Sequence, residues 1–167
     1  MSARMPVRLP EQCRLAPMRP SHLVAVMAIE NEAYAVPWTR GNFIDSLASD
    51  YLARCLFDLP GNLLGYCVAM HAAGEMHLLN LTVAPAYRGR GHARQMLDAL
   101  VASCHDAGVT QLWLEVRASN YFARNLYRRY GLVERGTRKG YYPATPGDAH
   151  SGREDAVVMS LRMDGAP

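Results

Sequence analysis

Between Leu81 and Ala93 an alternating apolar run gives way to a basic turn with two glycines, and a helical run follows at once. A strand that feeds a helix through such a turn confines the chain to an α/β arrangement, and the turn has the makings of an anion cradle. Glycine at positions 89 and 91 permits positive φ and lets a ligand approach the backbone closely. The helix that follows, Ala93 to Cys104, offers unpaired first-turn N–H groups and a positive dipole end to phosphate. The spacing is neither G-x-G-x-x-G nor G-x-x-x-x-G-K-[ST], which removes most support for dinucleotide-binding and P-loop readings. An ordinary strand-to-helix turn with surface arginines remains the plain alternative, and the loop alone does not separate the two.

The flanking sequence extends the pattern. Met76 to Val83, Ala93 to Cys104 and Gln111 to Val116 read as strand, helix, strand, and such a crossover makes the two strands parallel. Upstream, Arg14 to Met18 is expected as a first strand, with a helix opening at Pro20-Ser21 and running through Tyr34. Thr39 is placed to cap a short second helix containing Phe43, Ile44 and Leu47. Tyr51 to Phe57 and Leu63 to Met70 form a hairpin turned at Leu59-Pro60-Gly61-Asn62, and Met76 to Val83 completes a meander. Downstream, Asn120 to Tyr130 gives a last helix closed by Gly131. Ligands of parallel sheets gather at the carboxyl ends of strands, which puts Val83, Gly89, Gly91, Glu115 and Asn120 on one rim.

At 167 residues, half of them apolar and a fifth charged, the chain has material for one substantial core and little room for a second. The expected division is an extension over residues 1–13, one domain over 14–163 and a short tail over 164–167. Cys13, Cys55, Cys67 and Cys104 show no C-x-x-C spacing and lie mainly in apolar runs, so free thiols in a reducing compartment are expected. The six histidines show no metal spacing, so no metal is expected. No run approaches the ~18 apolar residues of a membrane span, and residues 1–10 lack the apolar stretch of a signal peptide. A cytoplasmic protein without a membrane partner is the expectation. The formal charge of +3 is modest and fits cofactor phosphates better than a specific nucleic-acid site.

The turn also reads R-x-x-G-x-A at Arg88, Gly91 and Ala93, and there it resembles the acyl-CoA pyrophosphate loop of the GCN5-related N-acetyltransferases. Within that superfamily three further runs resemble the RimI-type enzymes: Leu112-Trp113-Leu114-Glu115-Val116-Arg117-Ala118-Ser119-Asn120, Tyr141-Tyr142-Pro143 and Gly152-Arg153-Glu154-Asp155-Ala156. The similarity extends from about Leu15 to Met163. It implies a single α/β (α+β) domain with a mixed, mostly antiparallel sheet, a splayed central parallel pair, and helices on both faces. It implies acetyl-CoA as cosubstrate, the pantetheine pairing with the backbone of Leu81, Thr82 and Val83 and the Val83 N–H facing the thioester oxygen. Arg88, Gly89, Arg90, Gly91, His92 and Ala93 would surround the phosphates, with Arg94 beside them, and Asn120 would contribute from the far side of the rim. The implied acceptor is the N-terminal alanine of small-subunit ribosomal protein eighteen.

The same resemblance assigns chemistry. Glu115 interrupts an apolar strand, where a buried charge is costly without a partner, and position alone favours an ion pair with Arg117 on the same strand face. The matching glutamate in RimI-type enzymes is the general base, acting directly or through water. An α-ammonium has a pKa of ~8 against ~4.3 for glutamate, so an upward-shifted carboxyl or a water relay is expected to narrow the gap. Tyr127 reads as a core tyrosine by its helical stripe, whereas its family counterpart protonates the departing thiolate. Trp38, Tyr141 and Tyr142 match the peptide cleft, although Trp38 also suits a buried staple at a helix entry. Two departures from the family bear on substrate: the front end extends before the first strand, and residues 144–151 lengthen the connection between Pro143 and Gly152, where loops carry recognition on such scaffolds. Three readings follow: an N-terminal alanine acetyltransferase, a relative acting on lysine or a small amine, and a non-catalytic acyl-CoA-binding module. The presence of both Glu115 and Tyr127 argues against the third.

Overall fold

The computed structural model of the chain describes residues 12–145 and 152–163. Residues 1–11 of the expected extension, 146–151 of the long connection and the tail at 164–167 lie outside the described residues. In chain order the strands are β1 (Cys13–Pro17), β2 (Leu52–Asp58), β3 (Leu63–Ala72), β4 (Glu75–Val83), β5 (Gln111–Arg117), β6 (Val133–Tyr142) and β7 (Glu154–Arg162). The helices are α1 (Leu23–Ala33), α2 (Arg40–Ala48), α3 (His92–Asp106) and α4 (Tyr121–Tyr130). All seven strands join one sheet in the order β1-β2-β3-β4-β5-β7-β6, parallel only between β4 and β5.

Local chemistry explains most element ends. Asp58 Oδ1 accepts the N–H groups of Gly61 at 2.9 Å and Asn62 at 2.7 Å, which closes the β2–β3 turn where the Pro60-Gly61-Asn62 signal puts it. Thr39 and Asn42 form a reciprocal capping box that starts α2. The expected helix at Pro20 begins instead as a single 3-10 turn over Pro20–His22, with α1 proper starting at Leu23. The cause is local: the His22 N–H donates to the Arg19 carbonyl, an i to i+3 bond, while the Arg19 N–H donates to His22 Nδ1.

The β6–β7 hairpin carries no strand expectation from the sequence. β6 is the sheet edge and nearly every residue in it is exposed, including Glu134, Arg135, Arg138 and Lys139, so it lacks the apolar alternation by which a strand is read. Its pairing with β7 supplies the structure that its composition conceals.

Both sheet faces are packed. Met96, Leu97, Leu100 and Cys104 of α3 and Tyr127 of α4 bury against Leu78, Leu112, Leu114 and Val116 on one side. Leu23 and Val26 of α1 and Phe43 of α2 bury against Cys55, Tyr66 and Val68 on the other. Helices therefore cover both faces. Buried Cys67 is pushed up to about 11 by desolvation, and Cys104 is raised by the same cause, so neither offers a thiolate near neutrality.

Two departures from regular pairing shape the centre of the sheet. β4 and β5 are in register only from Glu75 with Gln111 to Leu78 with Leu114, yet β4 continues to Val83 and β5 to Arg117, so the strands part beyond that point. In addition, Val68 lies opposite Asn80 while Ala69 lies opposite Leu78, which leaves Leu79 as a bulge in β4. The extra residue reverses the alternation. Met76 and Leu78 join the α3 side, and after the bulge Leu81 and Val83 join it, while Asn80 and Thr82 turn toward α1.

Candidate active site

The parting of β4 from β5 leaves one edge of β4 without a strand partner. The Ala84 N–H donates to the Leu64 carbonyl at 2.8 Å, so in the antiparallel alternation Val83 and Leu81 direct their peptide groups away from β3, toward the gap. Thr82 then directs its peptide group to β3. Backbone groups at Leu81 and Val83 are left for an extended guest that brings amides of its own. Close packing holds this edge in place, since a Cβ on Gly65 would meet the Thr82 carbonyl oxygen at 2.5 Å.

Beneath the gap runs a buried polar chain. Tyr34, the residue that ends α1, sets its hydroxyl 2.7 Å from Thr82 Oγ1 and 3.4 Å from the Leu81 carbonyl oxygen. Thr82 donates to Asn80 Oδ1 at 2.7 Å, and Asn80 Nδ2 reaches Glu30 Oε2 at 3.3 Å. Glu30, 1% exposed, also accepts from the Tyr66 hydroxyl and from the Trp38 N–H at 2.9 Å. A buried carboxylate with that many donors is satisfied rather than stranded, and it ties the loop after α1 to the edge of β4.

At the rim, Gly91 caps α3 in the left-handed region at φ 83°, and Gly89 sits at φ 77°. The Gly91 cap supplies no side-chain acceptor to the first turn of α3. This arrangement fits a pyrophosphate. Arg88, Arg90 and Arg94 are exposed around it, Arg90 over the Tyr87 ring at 5.7 Å and Arg94 over Tyr130 at 6.0 Å. The His92 ring is only 4% exposed, whereas Ala93 next to it is half-buried at the start of the helix. Asn120 caps α4, its Oδ1 accepting the Ala123 N–H at 3.2 Å. Because Gly91 needs positive φ, Gly91→Val strains the loop and fills the approach to the helix end. It is expected to raise the dissociation constant for acetyl-CoA at least tenfold, ~1.4 kcal/mol, in calorimetry on a variant with unchanged circular dichroism. Undiminished affinity in that folded variant would remove the loop from the site.

Glu115 is the first β5 residue beyond the paired stretch, and its side chain is 12% exposed. It does not pair with Arg117, which bonds Glu154 Oε2 at 3.1 Å and the Pro143 carbonyl at 3.1 Å. Instead Glu115 Oε2 contacts His77 Nε2 from β4, and Oε1 accepts from Arg138 Nη1 of β6 at 3.2 Å. Burial alone would raise this carboxyl, but the bonds and charge of His77 and Arg138 outweigh it and hold Glu115 below the usual carboxylate range. Of the two expected means of narrowing the pKa gap, the upward-shifted carboxyl is the one this geometry opposes.

Tyr142 lies close enough to Glu115 that, after burial, the carboxylate contributes to raising its phenol. Tyr127 is 8% exposed and is likewise raised, first by burial and then by Tyr34 and Tyr142. Glu115 and the three tyrosines thus converge where β4 and β5 part. Tyr141 and Tyr142 stack edge to face at 4.9 Å, steadied by Arg138 over Tyr141 at 4.4 Å and Arg117 over Tyr142 at 4.6 Å. The Trp38 ring packs on Phe43 of α2 with centroids 5.1 Å apart, half-buried, while the Trp38 backbone N–H donates to Glu30. That is the packing of a staple at the α2 entry, and it leaves part of the ring exposed.

Sequence reasoning passes over His77, Tyr34, Arg138 and Glu30. His77 and Glu115 are 38 positions apart and meet only through the parallel register, for which the chain carries no local signal. Glu30 on an apolar helix face is the one visible hint, because a charge there demands partners. Among the described residues no cluster of His, Cys, Asp and Glu is placed to hold a metal ion. No helix among them is long and apolar enough to cross a membrane.

Residues 23–132 match the Acetyltransferase (GNAT) family. The [ribosomal protein bS18]-alanine N-acetyltransferase of Escherichia coli K12 is 35% identical over 147 residues, 88% of this chain and 95% of that protein. Its counterpart from Haemophilus ducreyi is 35% identical over 135 residues, 81% of this chain and 90% of the relative. The crystal structure of the ribosomal-protein-S18-alanine N-acetyltransferase from Escherichia coli superposes with a TM-score of 0.82 at 33% identity, covering 93% of this chain and 97% of that one.

Proposed function

The chain belongs to the Acetyltransferase (GNAT) family, and from that premise we propose that it transfers acetyl from acetyl-CoA to the α-amine of an N-terminal alanine on a ribosomal protein. The carrying observation is the split between β4 and β5, with Glu115 as the first residue past it and Tyr127 and Tyr142 close by. Leu81 to Val83 would hold the pantetheine arm by completing the ladder that β5 abandons, and the Arg88-to-Ala93 turn would hold the pyrophosphate of coenzyme A. The Val83 N–H would donate to the thioester oxygen and stabilise the charge that develops there.

In a ternary complex the amine attacks the thioester carbon directly. The raised thiols of Cys67 and Cys104 give no support to an acyl-cysteine route. Glu115 drives removal of the amine proton, and the Tyr127 phenol donates to the sulfur as the C–S bond breaks. Trp38, Tyr141 and Tyr142 line the path of the peptide. The ribosomal peptide is the partner in this reading, encountered in the cytoplasm, with neither a specific nucleic acid nor a membrane required.

The α-amine suits the site chemically. Its pKa of ~8 leaves a neutral fraction at physiological pH roughly two hundred times that of lysine at ~10.4. A peptide with a free N-terminal alanine and an internal lysine is expected to gain one acetyl group, located by mass spectrometry on the α-nitrogen. Formylating the terminus is expected to stop the reaction. Acetylation of the lysine in the blocked peptide at comparable kcat/KM would establish the lysine reading instead.

A further inference from the structure

Glu115 is poorly suited to receive the proton itself. Held below the usual carboxylate range, it is a weaker base than an ordinary carboxylate, and direct transfer from an α-ammonium of pKa ~8 is uphill. A histidine stands in contact with it. His77 Nε2 meets Glu115 Oε2, and both side chains line a cavity of about 230 Å³ with Met70, Ala72, Glu75 and Trp113. The His77 side chain is 28% exposed, and its Nδ1 makes no hydrogen bond to another described residue.

Resting on the function proposed above, we propose that His77 is a further catalytic residue: its Nδ1 takes the proton from the α-amine, while Glu115 holds Nε2–H and balances the imidazolium that forms. A carboxylate that binds one ring nitrogen as N–H leaves the lone pair on the other, which is how a buried acid turns an imidazole into a base. A histidine is also the side chain whose charge changes nearest neutrality, which suits it to an amine that must shed a proton at physiological pH.

The protons balance. The acceptor nitrogen arrives as an ammonium and loses one proton to His77, which later releases it to solvent. The neutral nitrogen then forms the N–C bond as the C–S bond breaks, and the second proton it loses ends on the coenzyme A sulfur by way of Tyr127. The titratable and charged groups around His77 come from each neighbouring strand. They are Glu115 from β5, Arg138 and Tyr142 from β6 acting through Glu115, and Glu75 from β4 itself on the cavity wall. From β3 only Met70 and Ala72 face the cavity, and neither carries charge.

The test is a rate–pH profile of the full-length enzyme from pH 6 to 9.5 with the alanine-first peptide, comparing wild type, His77→Gln and Glu115→Gln. His77→Gln keeps a polar group beside Glu115 and removes the base. At pH 7 it is expected to lower kcat at least thirtyfold, with acetyl-CoA affinity and peptide KM within twofold, and to recover toward pH 9.5 as free amine replaces the catalyst. Nitrogen-15 NMR of the histidine ring in wild type is expected to show the Nε2–H tautomer, and in Glu115→Gln to show its loss. His77→Asn serves as the second variant if glutamine does not fold, with the same expectation. His77→Gln within threefold of wild type at pH 7, with an unchanged acid limb, overturns the proposal. If Glu115→Gln is inactive while His77→Gln is not, the dyad fails and the site reading stands. If both variants match wild type, the dyad and the role of Glu115 fail together while α-amine transfer stands; if wild type leaves the α-amine untouched, the underlying function fails as well.

Discussion

Glu115→Gln is expected to lower kcat for the alanine-first peptide by at least 100-fold while leaving acetyl-CoA affinity within twofold. The amide retains the size of the carboxyl and can still bond Arg138, so shape at the β4–β5 split is preserved. What it loses is charge. An ionised Glu115 stabilises positive charge gained next to it as the amine gives up its proton, and an amide offers only a dipole there. Because His77 and Arg138 hold the carboxyl below its usual range, Glu115 is ionised throughout pH 6 to 9. The sign follows: with the folded-state value depressed, the charged form is lost only as pH falls below that range, so the deficit in the variant is constant across assay pH as far as Glu115 itself is concerned. Steady-state kinetics with calorimetry decide it. A folded variant with kcat within tenfold of wild type would take Glu115 out of the proton path.

How much of this was legible in the chain depended on whether the cause was local. The β2–β3 turn, the Thr39 cap, the Gly131 stop and the strand–helix–strand unit around Gly89 and Gly91 are each written within a few residues, and each is present where expected. The hairpin of β6 and β7 was not, because β6 is a solvated edge whose residues are chosen for charge rather than alternation. Resemblance to the acetyltransferases supplied what spacing does not, naming Glu115 and Tyr127 among many carboxylates and tyrosines. Of the two expected means of narrowing the gap at Glu115, a raised carboxyl or a water relay, the fold opposes the first, since a carboxyl in an apolar strand is raised only if it stays unpartnered. His77 arrives from β4 and Arg138 from β6, and both contacts are products of strand order and register.

The bulge at Leu79 shows the same dependence on register more sharply. Strict alternation through Met76 to Val83 would put Leu79, Leu81 and Val83 on the face with His77, away from α3. One extra residue instead returns Leu81 and Val83 to the α3 side and turns Asn80 and Thr82 into the polar chain that ends at Glu30. Nothing in an apolar, alternating sequence marks where that residue will fall.

Tyr127→Phe is expected to lower kcat by about 100-fold, with a deficit that does not vary between pH 6 and 9. Burial, reinforced by the Tyr34 and Tyr142 phenols, raises Tyr127 above the ordinary tyrosine value of 10.0, so its hydroxyl is protonated over that whole interval. A phenol that weak does not surrender its proton outright to an alkyl thiolate of pKa ~8.5. It acts as a fixed O–H donor toward sulfur while negative charge builds there, and passes a proton on only as it receives the second one shed by the nitrogen. A donor aimed at developing charge in a dry site is worth ~3 kcal/mol of barrier, which is the expected hundredfold. The contrast with His77→Gln is diagnostic, since loss of a base is relieved at high pH and loss of this donor is not. Phenylalanine fills the same buried space among Leu114, Val116 and Leu132, so the variant's melting temperature is expected to match wild type. A Tyr127→Phe enzyme within fivefold of wild type across the pH range would show that the thiolate departs without this donor.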